Sequence, residues 1–360
     1  LVNGFEARTP ELLETLSRYQ GKRLFVAVIG SPDPDGLASA WTLKTIARHA
    51  GVTMDILTFE VLSRPDNIAF CQMLAIPFKH VEALPRVGYA GYCVVDRQNA
   101  RLPIGYSRKL PLIAHIDHHV EIPTGAIFAQ QDPGFGSCCS IMAHHLKYLC
   151  DHFETDQSEV CRLATALMFG IRTDTQNFLT AKSVDYESAA ILARHFSIEL
   201  IRTLIDTPVG RPFINTLASA LESRQSRTGL VIAWAGTVAR SGRDTIGQTA
   251  DFLIRGDKTV AVIVYGCVED YLVGSMRTTD PDLETFRFID ESLSRIFQFQ
   301  IDCGGRTFSG GFQIPLKFIA NDDLDAVRKQ IDQSIFHVWG LYNKHPGGSA
   351  GWKKRRISTI

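Results

Sequence analysis

An apolar run, Leu24-Phe25-Val26-Ala27-Val28-Ile29, leads into Asp33-Pro34-Asp35-Gly36 and then into a helical pattern from Leu37 to His49 that stops at Gly51. A short continuous apolar run bounded by turn signals reads as a strand covered on both faces, as in a parallel sheet. Aspartate and proline just ahead of periodic apolar positions read as a helix N-terminus. Two carboxylates are thereby expected at a strand's C-terminal edge beside a helix N-terminus, which is where open α/β sheets bind ligands. Taken alone, aspartates two apart are more often solvated turn residues or a helix cap.

The arrangement recurs along the chain. Tyr92-Cys93-Val94-Val95 leads into Asp96, and Leu112-Ile113-Ala114-His115-Ile116 leads into Asp117-His118-His119. Gly170-Ile171-Arg172-Thr173-Asp174-Thr175 follows a helical pattern from Val160 to Phe169 and adds one more carboxylate. Several carboxylates with one imidazole suit Mn²⁺ or Mg²⁺ better than structural zinc, which prefers thiolates and several imidazoles. Such a site matches phosphoester hydrolysis, because a phosphodiester is anionic and repels a nucleophile until cations neutralise it.

With these four motifs in order, the chain resembles the DHH phosphoesterase superfamily, which includes family II inorganic pyrophosphatases, single-strand exonucleases, oligoribonucleases and cyclic-dinucleotide phosphodiesterases. The resemblance implies that Asp35, Asp96, His118 and Asp174 bind one metal ion, and that Asp96 bridges to a second ion also held by Asp33. His119 then faces the substrate phosphate as the catalytic residue, and Asp117 orients the motif rather than ligating. A histidine normally stands four residues before the first aspartate of the opening motif; here that position is Ile29, which leaves the second ion one ligand short. Asn67, after the strand expected over Val52 to Phe59, resembles a substrate-loop asparagine of the family, with a turn residue as the competing reading.

A second stretch of resemblance lies towards the C-terminus. Asp270 to Arg277 reads as a strand ending on an arginine, and Cys303-Gly304-Gly305-Arg306 with Ser309-Gly310-Gly311 reads as a glycine-rich loop. These resemble the DHH-associated domain, whose loop commonly reads Gly-Gly-His; Arg306 stands in the histidine's place. The resemblance implies that Arg277, Gly304, Gly305 and Arg306 bind substrate, since glycine lets backbone amides approach phosphate and arginine grips it bidentately. On the residues alone, a β-hairpin or bulge is the competing reading. Gly136-Ser137-Cys138-Cys139-Ser140 begins another helix, where small residues could admit phosphate or Ser137 could serve as a plain N-cap.

The fold class expected is α/β. A mainly parallel-sheet domain with helices on both faces spans residues 1–196, a helical connector interrupted by Thr207-Pro208-Val209-Gly210 spans 197–227, a smaller α/β substrate-binding domain spans 228–345, and 346–360 form a tail. The 360 residues are 45% hydrophobic and 21% charged, enough for two cores without disorder-like composition. Lysine plus arginine equals aspartate plus glutamate at 38 each, so the global basic field of a duplex-DNA binder is absent. The basic tail Lys353-Lys354-Arg355-Arg356 is short and terminal, and reads as a solvated end.

No apolar run approaches the roughly 20 residues of a membrane span and no signal-peptide pattern opens the chain, so a cytoplasmic protein is expected. Leu1 points to a trimmed N-terminus. The eight cysteines lack paired C-x-x-C spacing and read as reduced thiols. Neither a cysteine-phosphatase loop nor Gly-x-Ser-x-Gly is present. His144 and His145, adjacent on a helix, diverge by about 100° and read as ordinary helix residues. The expected function is metal-dependent hydrolysis, with one or two Mn²⁺ or Mg²⁺ ions, of a short single-stranded oligonucleotide or small nucleotide held between the domains. The alternatives are pyrophosphate or polyphosphate hydrolysis and, because of Ile29, nucleotide binding by a regulatory protein with weak turnover. The oligomeric state is open, a homodimer included.

Overall fold

The computed structural model describes residues 8–343 apart from 63, 86–87, 104, 106–109, 207–209, 298, 300, 307 and 319–323. The chain divides into two compact units after residue 207. In the first unit the elements run α1 (Thr9–Ser17), β1 (Arg23–Val28), α2 (Pro34–His49), β2 (Thr53–Thr58), α3 (Pro65–Leu74), β3 (Phe78–His80), β4 (Gly91–Val95), β5 (Leu112–Asp117), β6 (Phe128–Gln131), α4 (Cys138–His152), α5 (Gln157–Asp174), α6 (Ser183–Leu192) and α7 (Ile198–Ile205). Six parallel strands form one sheet in the order β3-β2-β1-β4-β5-β6. The order reverses between β1 and β4, and at such a reversal the loops leaving the two strands diverge and open a crevice.

Alternation along β1 builds two apolar layers. Leu24, Val26 and Val28 join a large core shared with residues of all seven helices of this unit, whereas Phe25 and Ala27 join a smaller layer on the opposite face with Leu57, Val94 and Leu112. That smaller layer is closed by Leu84, Tyr89, Ala100 and partly buried Leu102 and Leu110, all from the connections on either side of β4. The α/β fold with a parallel sheet expected from the sequence is present, and among the described residues the layer on the Phe25 face is closed by connecting segments. Pro85, Gly88, Pro103 and Gly105 interrupt any helical pattern in those connections.

The second unit contains α8 (Arg211–Ser223), β7 (Gln225–Arg227), β8 (Leu230–Val238), α9 (Asp244–Leu253), β9 (Ala261–Val268), β10 (Tyr271–Thr278), α10 (Thr285–Leu293), β11 (Asp302–Arg306), β12 (Ser309–Pro315) and α11 (Leu324–Asn343), with single 3₁₀ turns at Arg240–Gly242 and Leu316–Phe318. Its mixed sheet runs β11-β12-β10-β9-β8-β7, with β8 and β9 the parallel pair. The strand and helix order read from the sequence is present, with β7 and β11 added at the edges. Of the two helices read as a connector, α7 packs within the first unit, against α3 and α5, and α8 within the second, against β8 and α9. The interruption at residues 207–209 and the basic tail lie outside the described residues.

Candidate metal centre

The β1–α2 turn places the opening motif. Asp33 caps α2, its Oδ1 accepting from the Gly36 amide at 2.9 Å, and Pro34 begins the helix, where its missing N–H costs nothing. Gly36 leaves room where space is tight: a Cβ there would stand 3.2 Å from Val28 Cγ1, 3.3 Å from Asp96 Oδ2 and 3.5 Å from Asp33 Oδ1. The carboxylates of Asp33 and Asp96 therefore converge over this glycine from the ends of the two strands that flank the reversal.

Asp35, buried one residue further into α2, is held by another helix. The amides of Cys138 and Cys139, the first residues of α4, donate to its Oδ2 and Oδ1 at 2.8 and 2.6 Å. Ser137 caps that helix through the Ser140 amide at 3.1 Å. The plain-cap reading of Ser137 is therefore right, and the helix terminus read as a phosphate subsite is occupied by the carboxylate of Asp35 instead. A helix N-terminus favours an anion through its unpaired amides, and a fixed aspartate satisfies them as phosphate would.

His118 is the hub of the cluster. Its Nε2 lies 3.4 Å from Asp96 Oδ1, 3.4 Å from Asp174 Oδ2 and 3.9 Å from Asp35 Oδ2. Two groups of donor atoms are close enough to share an ion, one of Asp35, His118 and Asp174 and one of Asp96, His118 and His119. Ligands at about 2.1 Å around an octahedral ion stand about 3.0 Å apart in cis and about 4.2 Å in trans, which brackets the observed separations. Asp174 ends α5 rather than following it, and reaches the cluster because Gly170, one turn earlier, lets α5 approach closely. A Cβ on Gly170 would fall 2.4 Å from Cys139 Sγ and 3.2 Å from the Asp35 Cα.

The electrostatics fit a cation. Burial, and then the charges of Asp35, Asp33, Asp174 and Asp117, push the Asp96 carboxyl well above the usual carboxylate range. Burial raises Asp35 as well, against the charge of His118 and with that of Asp33. Oxygen donors with an imidazole in such a like-charged, buried group match a hard or borderline divalent ion. Asp96 also carries φ = +51°, a left-handed conformation that aspartate tolerates better than most residues, while its amide stays tied to the Ile116 carbonyl at 3.0 Å.

Asp117, fully buried, holds the Nδ1 of His119 at 2.8 Å, and this contact keeps its carboxyl below the usual range despite burial. Among the described residues its Oδ2 has no hydrogen-bond partner. His119 is left with Nε2 as its outward nitrogen. Asn67 is the third residue of α3, not a turn residue; it is buried and its amide donates to the Pro32 carbonyl at 3.0 Å, fixing the loop that ends in Asp33. Ile29 lies just beyond β1, half-buried against the layer containing Phe25 and Phe59. His144 and His145 are helix residues, as expected. His145 is buried between Thr9 and Gln130, and burial pushes it down to about 3.

In the second unit, Gly304 and Gly305 lie within β11, paired opposite Gly311 and Gly310 of β12. The competing hairpin reading describes the backbone, and Gly305 meets a packing need, since a Cβ on it would stand 2.6 Å from Thr285 Oγ1 and 2.7 Å from the Ser309 carbonyl, whereas a Cβ on Gly304 would meet nothing within 4 Å. Arg306 ends β11; its side chain lies outside the described residues. Arg277, on β10, is engaged by Asp251 of α9, with Nε to Oδ1 at 2.5 Å, and by Ser275 Oγ at 2.8 Å. Sequence reasoning missed the α4 amides, Gly170 and Asp185. Asp185, fully buried, accepts from the Gly136 amide at 2.9 and 3.1 Å and from the Lys182 amide at 2.7 Å, bracing the turn into α4.

No family model matches the sequence. An uncharacterized protein of Methanocaldococcus jannaschii is 31% identical over 328 residues; the match covers 90% of this chain and 64% of that protein's length. An exopolyphosphatase-related protein from Bacteroides fragilis has a similar fold, with a TM-score of 0.68 at 12% identity over 95% of this chain and 99% of that one. A manganese-bound exonuclease RecJ is similar at a TM-score of 0.49 and 11% identity, over 93% and 96% of the two chains. Fold and site define an α/β protein with a cluster of carboxylates and histidines where the order of a parallel sheet reverses. The four motifs read from the sequence meet at this cluster, and the fold is the one shared with the exopolyphosphatase-related protein. Among the described residues no helix is long and apolar enough to cross a membrane.

Proposed function

We propose that this protein is a metal-dependent phosphoester hydrolase acting on a short oligonucleotide or small nucleotide. The observation that carries the reading is the convergence of Asp35, Asp96 and Asp174 on His118 Nε2 within 3.4 to 3.9 Å. These four residues would hold a divalent ion, Mn²⁺ or Mg²⁺, and Asp33 with Asp96 would offer oxygens for a second. A bound divalent cation supplies Lewis-acid polarisation of phosphate and acidifies water.

The chain's own groups supply the remainder. Asp117 accepts from Nδ1–H of His119 and orients the ring with Nε2 towards the phosphate; in the imidazolium form, Nε2–H would donate a hydrogen bond to a nonbridging oxygen or its proton to the departing alkoxide. Asn67 and the α4 amides keep the two motif aspartates in place, so little rearrangement accompanies reaction. Gly304, Gly305 and Arg306 offer the second unit's substrate-binding edge, and Arg277 joins them on leaving Asp251. The test is hydrolysis, with added Mn²⁺, of a dinucleotide, a cyclic dinucleotide, 3′-phosphoadenosine 5′-phosphate, pyrophosphate and polyphosphate. Turnover of a nucleotide phosphoester that is lost on chelation is expected. Turnover confined to pyrophosphate or polyphosphate would move the substrate class, and no turnover with retained nucleotide binding would leave a regulatory protein.

A further inference from the structure

Arg97 follows Asp96 directly, at the strand-order reversal, and no motif assigns it a task. Its side chain is exposed and, among the described residues, forms no ion pair, although several carboxylates stand at the same sheet edge. The guanidinium lies against Gly30 in the turn that leads to Asp33: an ideal Cβ there would stand 3.3 Å from Arg97 Nη1 and 3.9 Å from Cζ. Gly30 has φ = +92°, so glycine serves both the turn and the space beneath the guanidinium. The backbone beside Arg97 is anchored. Its carbonyl accepts from Nε2 of the buried His115 at 2.8 Å, and the next residue, Gln98, donates to the Val120 carbonyl at 3.0 Å, just past the His118–His119 pair. Arg277, in the second unit, is engaged by Asp251.

We propose that Arg97 is a phosphate-binding residue of the metal-bearing unit, its guanidinium lying on the Asp33 side of the centre, beside Ile29, to take two nonbridging oxygens of a phosphoryl group. The proposal rests on the phosphoesterase reading for its ligand. A planar fork with five donors matches a phosphoryl group bidentately, and a guanidinium at this place contributes positive charge where Ile29 contributes no ligand. The anchored backbone roots the side chain at the edge of the crevice, with the guanidinium against Gly30.

The experiment is calorimetric titration of inorganic phosphate into the full-length protein with saturating Mn²⁺, for the parent, Arg97→Ala and Arg97→Lys, alongside Mn²⁺ titrations of all three. The expected result is a roughly 10- to 100-fold loss of phosphate affinity in Arg97→Ala, partial recovery in Arg97→Lys, and unchanged Mn²⁺ affinity. Phosphate affinity equal to the parent's in Arg97→Ala would overturn the proposal, as would a parallel loss of Mn²⁺ affinity, which would make Arg97 a support for Asp96. Because phosphate binding needs no turnover, a protein that hydrolyses nothing but binds phosphate through Arg97 would refute the enzymatic reading and leave this one standing.

Discussion

Asp185→Asn tests whether the metal centre is built from outside inwards. Asp185 is fully buried on α6, and its carboxylate takes the Gly136 amide on both oxygens and the Lys182 amide at 2.7 Å. Lys182 Nζ closes the clamp on the carbonyls of Pro133 and Phe135, at 2.5 and 2.9 Å. Two residues beyond Gly136, the amides of Cys138 and Cys139 hold Asp35. A hydrogen bond to a charged group contributes about 1.5–3 kcal/mol against about 0.5–1.5 for a neutral pair, so converting two of them costs about 2–3 kcal/mol. The substitution also turns an NH₂ group towards one of the amides. The assay is urea unfolding followed by circular dichroism, with hydrogen exchange over residues 136–140 as the local readout. The expected result is that loss of stability, faster exchange at Cys138 and Cys139, and weaker Mn²⁺ binding. Unchanged exchange and unchanged metal affinity would refute the coupling from Asp185 to Asp35.

Other outcomes follow from single residues. Gly170→Ala should lower stability by about 1–3 kcal/mol and weaken Mn²⁺ binding, because the new methyl meets Cys139 Sγ and the Asp35 backbone; urea unfolding and a metal titration check it. Asp55, at the far end of the same sheet, is raised by burial but held down to about 2 by hydrogen bonds from Arg23 and Tyr89 and by the charge of Lys79. Its folded value lies below the ordinary 3.8, so the stabilisation of about 2 kcal/mol is complete above pH 4 and lost as pH falls towards 2. Acid titration of Asp55→Asn should therefore show a flatter stability curve over that interval than the parent. His119→Ala should depress kcat far more than Mn²⁺ affinity, and equal losses in both would make it a ligand.

Much of the first unit was legible because its signals are local. The apolar run before Asp33, the Asp-Pro start of α2 and the strands ending at Asp96 and Asp117 each announce themselves within a few residues, and the parallel sheet then carries them to one edge. The hold of Cys138 and Cys139 on Asp35 was not legible, because it joins segments distant in sequence and uses backbone amides that carry no residue signature. Gly170 read as the first residue after a helix ending at Phe169; only the approach of α5 to Asp35 explains it. The paired diglycines at 304–305 and 310–311 face each other across a hairpin, and that pairing was a readable sign of strands rather than a loop. The edge strand β7, with no apolar residue in Gln225–Arg227, gave no strand pattern to read.

The central claim is that the buried carboxylates around His118 are a cation site. Its most direct measurement is Mn²⁺ binding to the parent and to Asp96→Asn, by calorimetry and by the thermal midpoint with and without metal. The parent should bind saturably and gain about 2.7 kcal/mol at a free concentration of 100 Kd. Asp96→Asn should lose that response yet be the more stable of the two in chelator, because removing one of the crowded buried charges relieves repulsion from Asp35, Asp33, Asp174 and Asp117. Parent-like Mn²⁺ binding by Asp96→Asn, or a parent whose midpoint ignores divalent ions altogether, would contradict the account.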